Sequence, residues 1–408
     1  MGNINTIDLF AGCGGLCEGF EMSGHYNTLA CVEWEKAPCA NLEKHLREKW
    51  NYSDADRRVL RFDIQRTKEL FCGWDDSEYG QSKGLDALVN GKRVDLIIGG
   101  PPCQAYSVAG RIRDEHGMKD DYRNFLFESY VSVLKHFQPK AFVFENVPGI
   151  LSARPTGEPI IDIIRQTFDE AGYVVLDDLS KAVIDFSEYG VPQNRNRIII
   201  LGLSKKEFGE NASDILDDFY AKILPSFKVK KKSTVHDAIG DLPALYPTVE
   251  FKIDGKKYSH TIPESGPANH SSRWHSKRDQ SIFRMLADDI ASGEKKYVST
   301  AALKQLYTDI TGRESNIHKY YVLRWDEQSN LIPAHLFKDG LRHIHPDGKQ
   351  ARSITVREAA RLQGFPDDYE FIGTQADEYK MIGNAVPPIF SEKLAQAVYS
   401  ILFGDEDN

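Results

Sequence analysis

Runs of apolar residues separated by glycine-rich or polar turns divide the first half of the chain into alternating elements. Ile4–Phe10 reads as a first strand and is followed by a glycine-rich turn. Residues 28–33, Thr-Leu-Ala-Cys-Val-Glu, read as a second strand, and Ala37–Trp50 carries apolar residues at helical spacing. Val94–Ile98, Ala141–Glu145 and Arg197–Leu203 are further apolar runs of strand length, with helical patterns over Asn124–Phe137 and Ile160–Ala171. Strands alternating with helices predict an α/β fold with a doubly wound, mostly parallel sheet. The acidic stretch Asp75–Glu78 reads as a surface insertion.

After Leu203 the periodicity becomes patchy. Residues 205–350 are lysine-rich and broken by clusters such as Pro263-Glu264-Ser265-Gly266-Pro267, which punctuate loops. A smaller, loop-rich second domain is therefore expected over 205–366, with 1–204 and 367–408 forming the first. Helical spacing returns at Val356–Gln363, with Ser353 and Thr355 as candidate caps, and a last helix is expected through Leu402.

Composition narrows the class. The chain has 408 residues, 41% hydrophobic and 27% charged, which fits a globular protein with a sizeable core. No apolar run approaches the roughly 20 residues that span a bilayer, and the N-terminus lacks a basic-then-apolar leader pattern, so no membrane partner is expected. The six cysteines all lie within the first 103 residues, with no C-x-x-C pair. That pattern suits neither a zinc site nor a disulfide framework; reduced thiols, a cytoplasmic location and no metal are expected. The net charge of -9 argues against a nucleic-acid partner, but the charge is uneven: residues 201–350 hold 23 basic and 20 acidic side chains. The cluster Lys228–Lys232 and the residues Arg273, Lys277, Arg278 and Arg284 belong to this stretch, and such groups neutralise phosphates as readily as they solvate a surface.

Two segments carry candidate chemistry. Asp8-Leu9-Phe10-Ala11-Gly12-Cys13-Gly14-Gly15 follows the first strand, where glycines let a ligand approach the backbone. A nicotinamide fingerprint would place glycine at position 17, which is Cys17. Glu33 ends the second strand and could accept from ribose hydroxyls; Trp34 beside it could stack on a purine, and Asp63 could accept from an adenine amino group. Together they suggest a cofactor bearing adenosine. The second segment, Asp95-Leu96-Ile97-Ile98-Gly99-Gly100-Pro101-Pro102-Cys103-Gln104, sets a thiol on a rigid turn at the carboxyl end of a strand. Open α/β sheets keep their active sites there, and a thiol so held is either a nucleophile or a small buried hydrophobe.

Taken with four further motifs, these segments resemble the cytosine carbon-5 DNA methyltransferases over nearly the whole chain. The motifs are Glu145-Asn146-Val147, Gln193-Asn194-Arg195-Asn196-Arg197, Thr355-Val356-Arg357-Glu358-Ala359-Ala360-Arg361-Leu362-Gln363-Gly364-Phe365-Pro366, and Gly383-Asn384-Ala385-Val386-Pro387. A variable basic region separates the second of these from the third. Related tRNA methyltransferases carry a Cys-Phe-Thr tripeptide in the recognition region, and this chain has no cysteine after Cys103. A non-catalytic DNA-binding relative would have no need of Cys103, Glu145, Arg195 and Arg197 together.

The resemblance implies a Rossmann-like catalytic domain that binds S-adenosyl-L-methionine and releases S-adenosyl-L-homocysteine, and a target-recognition domain over 205–366. It assigns Cys103 as nucleophile, Glu145 as partner of the cytosine ring, and Arg195 and Arg197 as groups that hold the base. Phe10, Gly12, Gly14, Glu33, Trp34, Asp63, Leu126, Asn384 and Val386 would line the cofactor pocket, so the end of the chain would return to the first domain. The basic loop Ala105–Tyr122 would close over flipped DNA, with His270, Arg273, Trp274, His275, Lys277 and Arg278 as candidate DNA contacts. Double-stranded DNA is the implied partner of a monomeric enzyme, one half of a restriction–modification pair whose endonuclease acts separately.

Overall fold

The computed structural model describes residues 4–102, 126–154, 159–338 and 340–403. Eight strands form the main sheet: β1 (Ile4–Leu9), β2 (Tyr26–Glu33), β3 (Val59–Arg61), β4 (Leu96–Gly99), β5 (Ala141–Asn146), β6 (Tyr173–Val175), β7 (Val183–Asp185) and β8 (Asn196–Ser204). Their order is β3-β2-β1-β4-β5-β8-β6, with β7 also pairing with β8. The first five in that order run parallel, while β8 is antiparallel to β5, β6 and β7. The central strands β1, β4 and β5 are buried nearly throughout, as expected where helices cover both faces of a parallel sheet. The expected strands are therefore present within two residues of their predicted bounds. The additional strands β3, β6 and β7 have three residues each, too few for a period-2 pattern to stand out. Asp75–Glu78 lies on a small hairpin, Trp74–Asp76 with Gly80–Ser82, fastened by Trp74 stacking on Phe62 at 3.8 Å between ring centroids.

The chain forms two compact units: Met1–Gly190 with Arg195–Lys230 and Ala385–Asn408, and Val191–Asn194 with Lys231–Asn384. These bounds differ from those expected at 204/205 and 366/367. Residues 205–230 stay with the first unit because Tyr220 stitches them to β8: its hydroxyl accepts from Leu201 N (2.8 Å) and donates to Ile199 O (2.7 Å). Residues 367–384 stay with the second, where the Arg357 guanidinium donates to the carbonyls of Ala268, Pro366 and Tyr369 and the Asn269 side chain bonds both N and O of Phe371.

Within the first unit, the helix Gly15–Met22 lies against the final helix Pro388–Phe403. Gly15 and Gly19 make the approach possible. A Cβ on Gly15 would overlap Val386 O, and one on Gly19 would overlap Ser391 Cβ and lie 2.6 Å from Glu392 N and Pro388 O. Residues four apart share a helix face, so the two glycines form one flat seat for the chain's end.

The second unit contains two helices that the patchy periodicity did not predict, Lys277–Ser292 and Thr300–Thr311. Their signals were local: Ser276 caps the first through Asp279 N, Ser299 caps the second through Ala302 N, and Gly293 and Gly312 end them in left-handed conformation. They pack around Ile282, Phe283, Leu286, Leu303, Leu306 and Ile344. Next to them is a buried polar core. Arg352 binds both oxygens of Glu358 at 2.6 Å, and Glu358 with Thr355 forms the capping box of Val356–Leu362. His260, His275, His343 and His345 are buried around this core. Burial, reinforced by nearby arginine charge, pulls His260 down to about 4 and His275, His343 and His345 to about 3.

Two outcomes follow. In an open helix Gly19→Ala would stabilise by about 1 kcal/mol; here the overlap reverses the sign, and equilibrium denaturation should show a loss of about 1–3 kcal/mol. The depressed histidines make the unfolded chain bind more protons than the folded one between about pH 6.5 and 4. Stability is therefore whole above 6.5 and falls on acidification, by about 1.4 kcal/mol per imidazole at one pH unit below the unfolded value. Hydrogen exchange at pH 7 and 5.5 should show amides of the second unit losing protection first; equal loss in both units would contradict the histidine account.

Candidate functional site

Successive strands β1, β2 and β3 progress one way across the sheet, while β4 and β5 lie on the other side of β1. The carboxyl ends of β1 and β4 therefore flank the point where the strand order reverses, the place at which open α/β sheets bind ligands. Leu9 pairs with Gly99, and Gly99 with Phe144. A side chain on Gly99 would overlap Leu9 O, so this close pairing requires glycine. Beyond it, Pro101 O accepts from Asn146 Nδ2 (3.4 Å), tying the Gly-Gly-Pro-Pro turn to the end of β5. Cys103 and the loop Ala105–Tyr122 lie outside the described residues.

Glu145 stands at the end of β5 beside this turn. Its Oε1 pairs with Arg197 Nε at 3.0 Å, across the antiparallel β5–β8 ladder in which Glu145 is opposite Ile199. Its Oε2 faces Gly100, where a Cβ would sit 2.7 Å away. Arg195 is buried and donates from Nη2 to Ala385 O (3.1 Å). Burial depresses both guanidinium pKa values, reinforced at Arg195 by the like charge of Arg197 and opposed at Arg197 by Glu145. Arginine nevertheless stays charged in proteins, so two cations are held at the end of the sheet next to one carboxylate.

The glycine-rich segment leaves β1 in an unusual path. Phe10, Gly12 and Gly14 have φ of 58°, 56° and 84°; only Phe10 has a Cβ to strain there, and non-glycine residues adopt this region infrequently. The backbone is held by Glu33, whose Oε2 accepts from Gly12 N (2.9 Å) and whose Oε1 accepts from Trp34 N and Glu35 N (both 2.8 Å). Burial raises the Glu33 pKa while these three amides oppose it. A carboxylate has about four acceptor positions, which leaves room for one more donor. Trp34 is 51% exposed, an open aromatic face at the end of β2. Among the described residues nothing lies within 4 Å of a Cβ placed on Gly12. An adenosine with ribose hydroxyls and a flat purine fits this combination of spare acceptor, exposed ring and open backbone.

The other predicted residues divide. Asp63, two residues beyond β3, is half-buried and caps the turn through Gln65 N (3.0 Å). Leu126 begins the helix Leu126–Phe137 and is buried. One turn on, the Tyr130 hydroxyl lies 3.0 Å from Val143 O and 3.3 Å from Ile97 O, so the start of this helix is seated over β4 and β5. Val386 O lies against Gly15, beside the glycine-rich turn. Asn384 ends the helix Gln375–Asn384 and belongs to the second unit. His270 and His275, expected to meet DNA, are buried: His270 bonds Thr355 Oγ1 and Pro243 O, and His275 bonds Ser353. Arg273 donates to Leu336 O and Phe337 O, while Trp274, Lys277 and Arg278 remain exposed. Two contributors were not singled out from sequence. Gly100 admits the Glu145 carboxylate, signalled only by its place between β4 and the prolines. Asp8, beneath the glycine-rich turn, is buried with no hydrogen bond of ordinary geometry to either carboxyl oxygen among the described residues, and burial lifts its pKa well above 3.8 against the pull of the Cys17 amide.

Comparison with known proteins agrees with this geometry. The family described as C-5 cytosine-specific DNA methylase matches residues 4–400. The type II methyltransferase M.Bpa9945I of Bacillus paralicheniformis is 33% identical, over 98% of this chain and 99% of its own length. M.AgeI of Thalassovita gelatinovora is 29% identical over 97% and 99%. Among solved structures, a protein encoded within an E. coli prophage has a TM-score of 0.63 at 23% identity, covering 98% of this chain and 99% of its own. S. pombe Dnmt2 methyltransferase has a TM-score of 0.55 at 15% identity, with full coverage of both chains; at these identities the likeness is one of fold. With a family match across nearly the whole chain and a relative 33% identical over 98% of it, this protein belongs to the C-5 cytosine-specific DNA methyltransferases.

Proposed function

We propose that Cys103 is the nucleophile of this DNA methyltransferase and that Glu145, Arg195 and Arg197 hold the target cytosine against it. The observation that carries the reading is the Glu145–Arg197 pair beside the Gly99–Pro102 turn, one residue from Cys103. Carbon 5 of cytosine is a weak nucleophile. When the Cys103 thiolate bonds to carbon 6, electron density moves to carbon 5, which can then take up an electrophilic methyl group. Arg197 holds Oε1 of Glu145, leaving Oε2 to share a proton with ring nitrogen 3 as charge builds there. Arg195 and Arg197 supply the positive field for the ring carbonyl and a nearby phosphate. Loss of the carbon-5 proton to a base or water then breaks the carbon–sulfur bond and restores the ring.

The methyl donor of the family, S-adenosyl-L-methionine, supplies a methyl sulfonium. Glu33 would hold its ribose, Trp34 its purine face and Asp63 its amino group, with Phe10, Gly12, Gly14, Leu126 and Val386 completing the pocket and no metal taking part. The duplex hides the target atom, so the cytosine must rotate out, at a cost of a few kcal/mol; the segment Ala105–Tyr122 is the candidate loop to close behind it. The first compact unit would serve catalysis and cofactor binding, and the second would read the target sequence. We assign the protein to the protective half of a type II restriction–modification pair, acting as a cytoplasmic monomer apart from its endonuclease. No helix among the described residues is long and apolar enough to cross a membrane.

Cys103→Ser should abolish methyl transfer to duplex DNA while leaving S-adenosylmethionine binding intact, and wild-type protein should form a covalent adduct with DNA carrying 5-fluorocytosine at the target site. Normal turnover by the serine variant would sink the covalent mechanism. Bisulfite sequencing of DNA from cells expressing the chain reads out the target sequence. Gly100→Ala adds a methyl group where Glu145 Oε2 now lies. Because the carboxylate can swing aside, stability should barely change, but kcat should fall by about 100-fold through misplacement of Glu145. Full kcat would place the working carboxylate elsewhere.

A further inference from the structure

The second unit projects one two-stranded hairpin, Pro247–Ile253 with Lys256–His260. Its turn is Asp254-Gly255, with φ of 48° and 78°, the two-residue left-handed geometry that closes a hairpin tightly and matches its twist. Phe251 and Tyr258 pair across the strands and stack, 5.3 Å apart and 14° from parallel. Lys277 Nζ ties the base of the hairpin through Thr248 O (3.2 Å). These contacts make a stiff ribbon.

Its surface is unusual in two respects. Lys252 and Lys257 are directly opposite each other, and the next pair toward the turn is Ile253 with Lys256. Like charges in facing positions destabilise a hairpin. Glu250 neutralises Lys257 at 3.1 Å, whereas Lys252 has no ion pair among the described residues, and the remaining acid of the hairpin, Asp254, is in the turn. In addition, Val249, Ile253, Tyr246, Ile262 and Trp274, on the hairpin or flanking it, are all more than 40% exposed. That is half of the large apolar side chains exposed among the described residues. Three lysines against a single paired glutamate, interleaved with exposed apolar groups, suit a polyanion that also offers apolar edges. Duplex DNA does so through its phosphates and the thymine methyl groups of its major groove, which is wide enough to admit a two-stranded ribbon.

We propose that the hairpin Pro247–His260 is a DNA-contacting ribbon, with Lys252, Lys256 and Lys257 neutralising phosphates while Val249 and Ile253 meet the groove. The proposal rests on the second unit reading DNA, and it puts the contact on this ribbon rather than on the His270–Arg278 stretch, whose histidines are buried. The test is duplex binding by fluorescence anisotropy over a salt series, for the full-length wild type and for the variant K252Q/K256Q/K257Q, with thermal melting to verify folding. Each lost phosphate contact lowers the slope of log affinity against log salt by about 0.9, so the variant's slope should fall by about 2–3 while its affinity for S-adenosylmethionine stays the same. A Lys→Arg triple variant should keep the wild-type slope. A glutamine variant that melts normally and keeps its slope within about 0.5 overturns the ribbon and leaves the methyltransferase reading standing. A wild type that shows no salt-dependent duplex binding overturns the proposed function itself.

Discussion

The site depends on how closely the backbones of β1 and β4 approach where the strand order reverses. Parallel pairing of Leu9 with Gly99 brings the two carboxyl ends together, and it is tolerated only because Gly99 has no side chain to overlap Leu9 O. Two turns start from this pair: the glycine-rich turn after β1 and the Gly-Gly-Pro-Pro turn after β4. Gly100 extends the same constraint, since the space its side chain would fill is taken by the Glu145 carboxylate. A change at this junction would disturb the glycine-rich turn, the Glu145 carboxylate and the Gly-Gly-Pro-Pro turn together.

Charge in the protein is arranged by burial rather than by total count. The chain as a whole is acidic, at -9, yet the sheet end holds the buried Arg195 and the half-buried Arg197 beside Glu145. The second unit adds a different device, the fully buried Arg352–Glu358 pair surrounded by neutral histidines. Removing one partner of such a pair leaves a buried unpaired charge, typically at a cost of 3–5 kcal/mol. Glu358 also caps Val356–Leu362, and Arg357 next to it gathers three carbonyls. The late motif Thr355–Pro366 is therefore largely architectural, organising the unit that carries the exposed hairpin.

Much was legible in the sequence because the relevant signals are local. The longer strands show as unbroken apolar runs since both faces of a parallel sheet are covered. Thr355 as a cap follows from glutamate three residues later. The motif residues Glu145, Arg195 and Arg197 were legible through the family's order of motifs, and the structure brings all three to one end of the sheet. The second unit was harder. Its helices Lys277–Ser292 and Thr300–Thr311 pack on each other and on separate loops, which dilutes the periodic pattern, although Ser276, Ser299, Gly293 and Gly312 mark their ends.

By itself, the sequence determined the alternation of strands and helices, the glycines and prolines that shape two turns, and the residue types needed for the chemistry, because each depends on near neighbours along the chain. Only the tertiary structure decided which polar groups are available. His270 and His275 look like DNA contacts in a basic stretch but are spent inside a core, while Lys252 and Lys257 become notable only once strand pairing sets them face to face. It likewise decided that 205–230 and 367–384 belong to the units they join, through bonds such as Tyr220 to β8 and Arg357 to Tyr369. Burial and cross-chain hydrogen bonding link residues far apart in sequence, and no local pattern records which partners they will find.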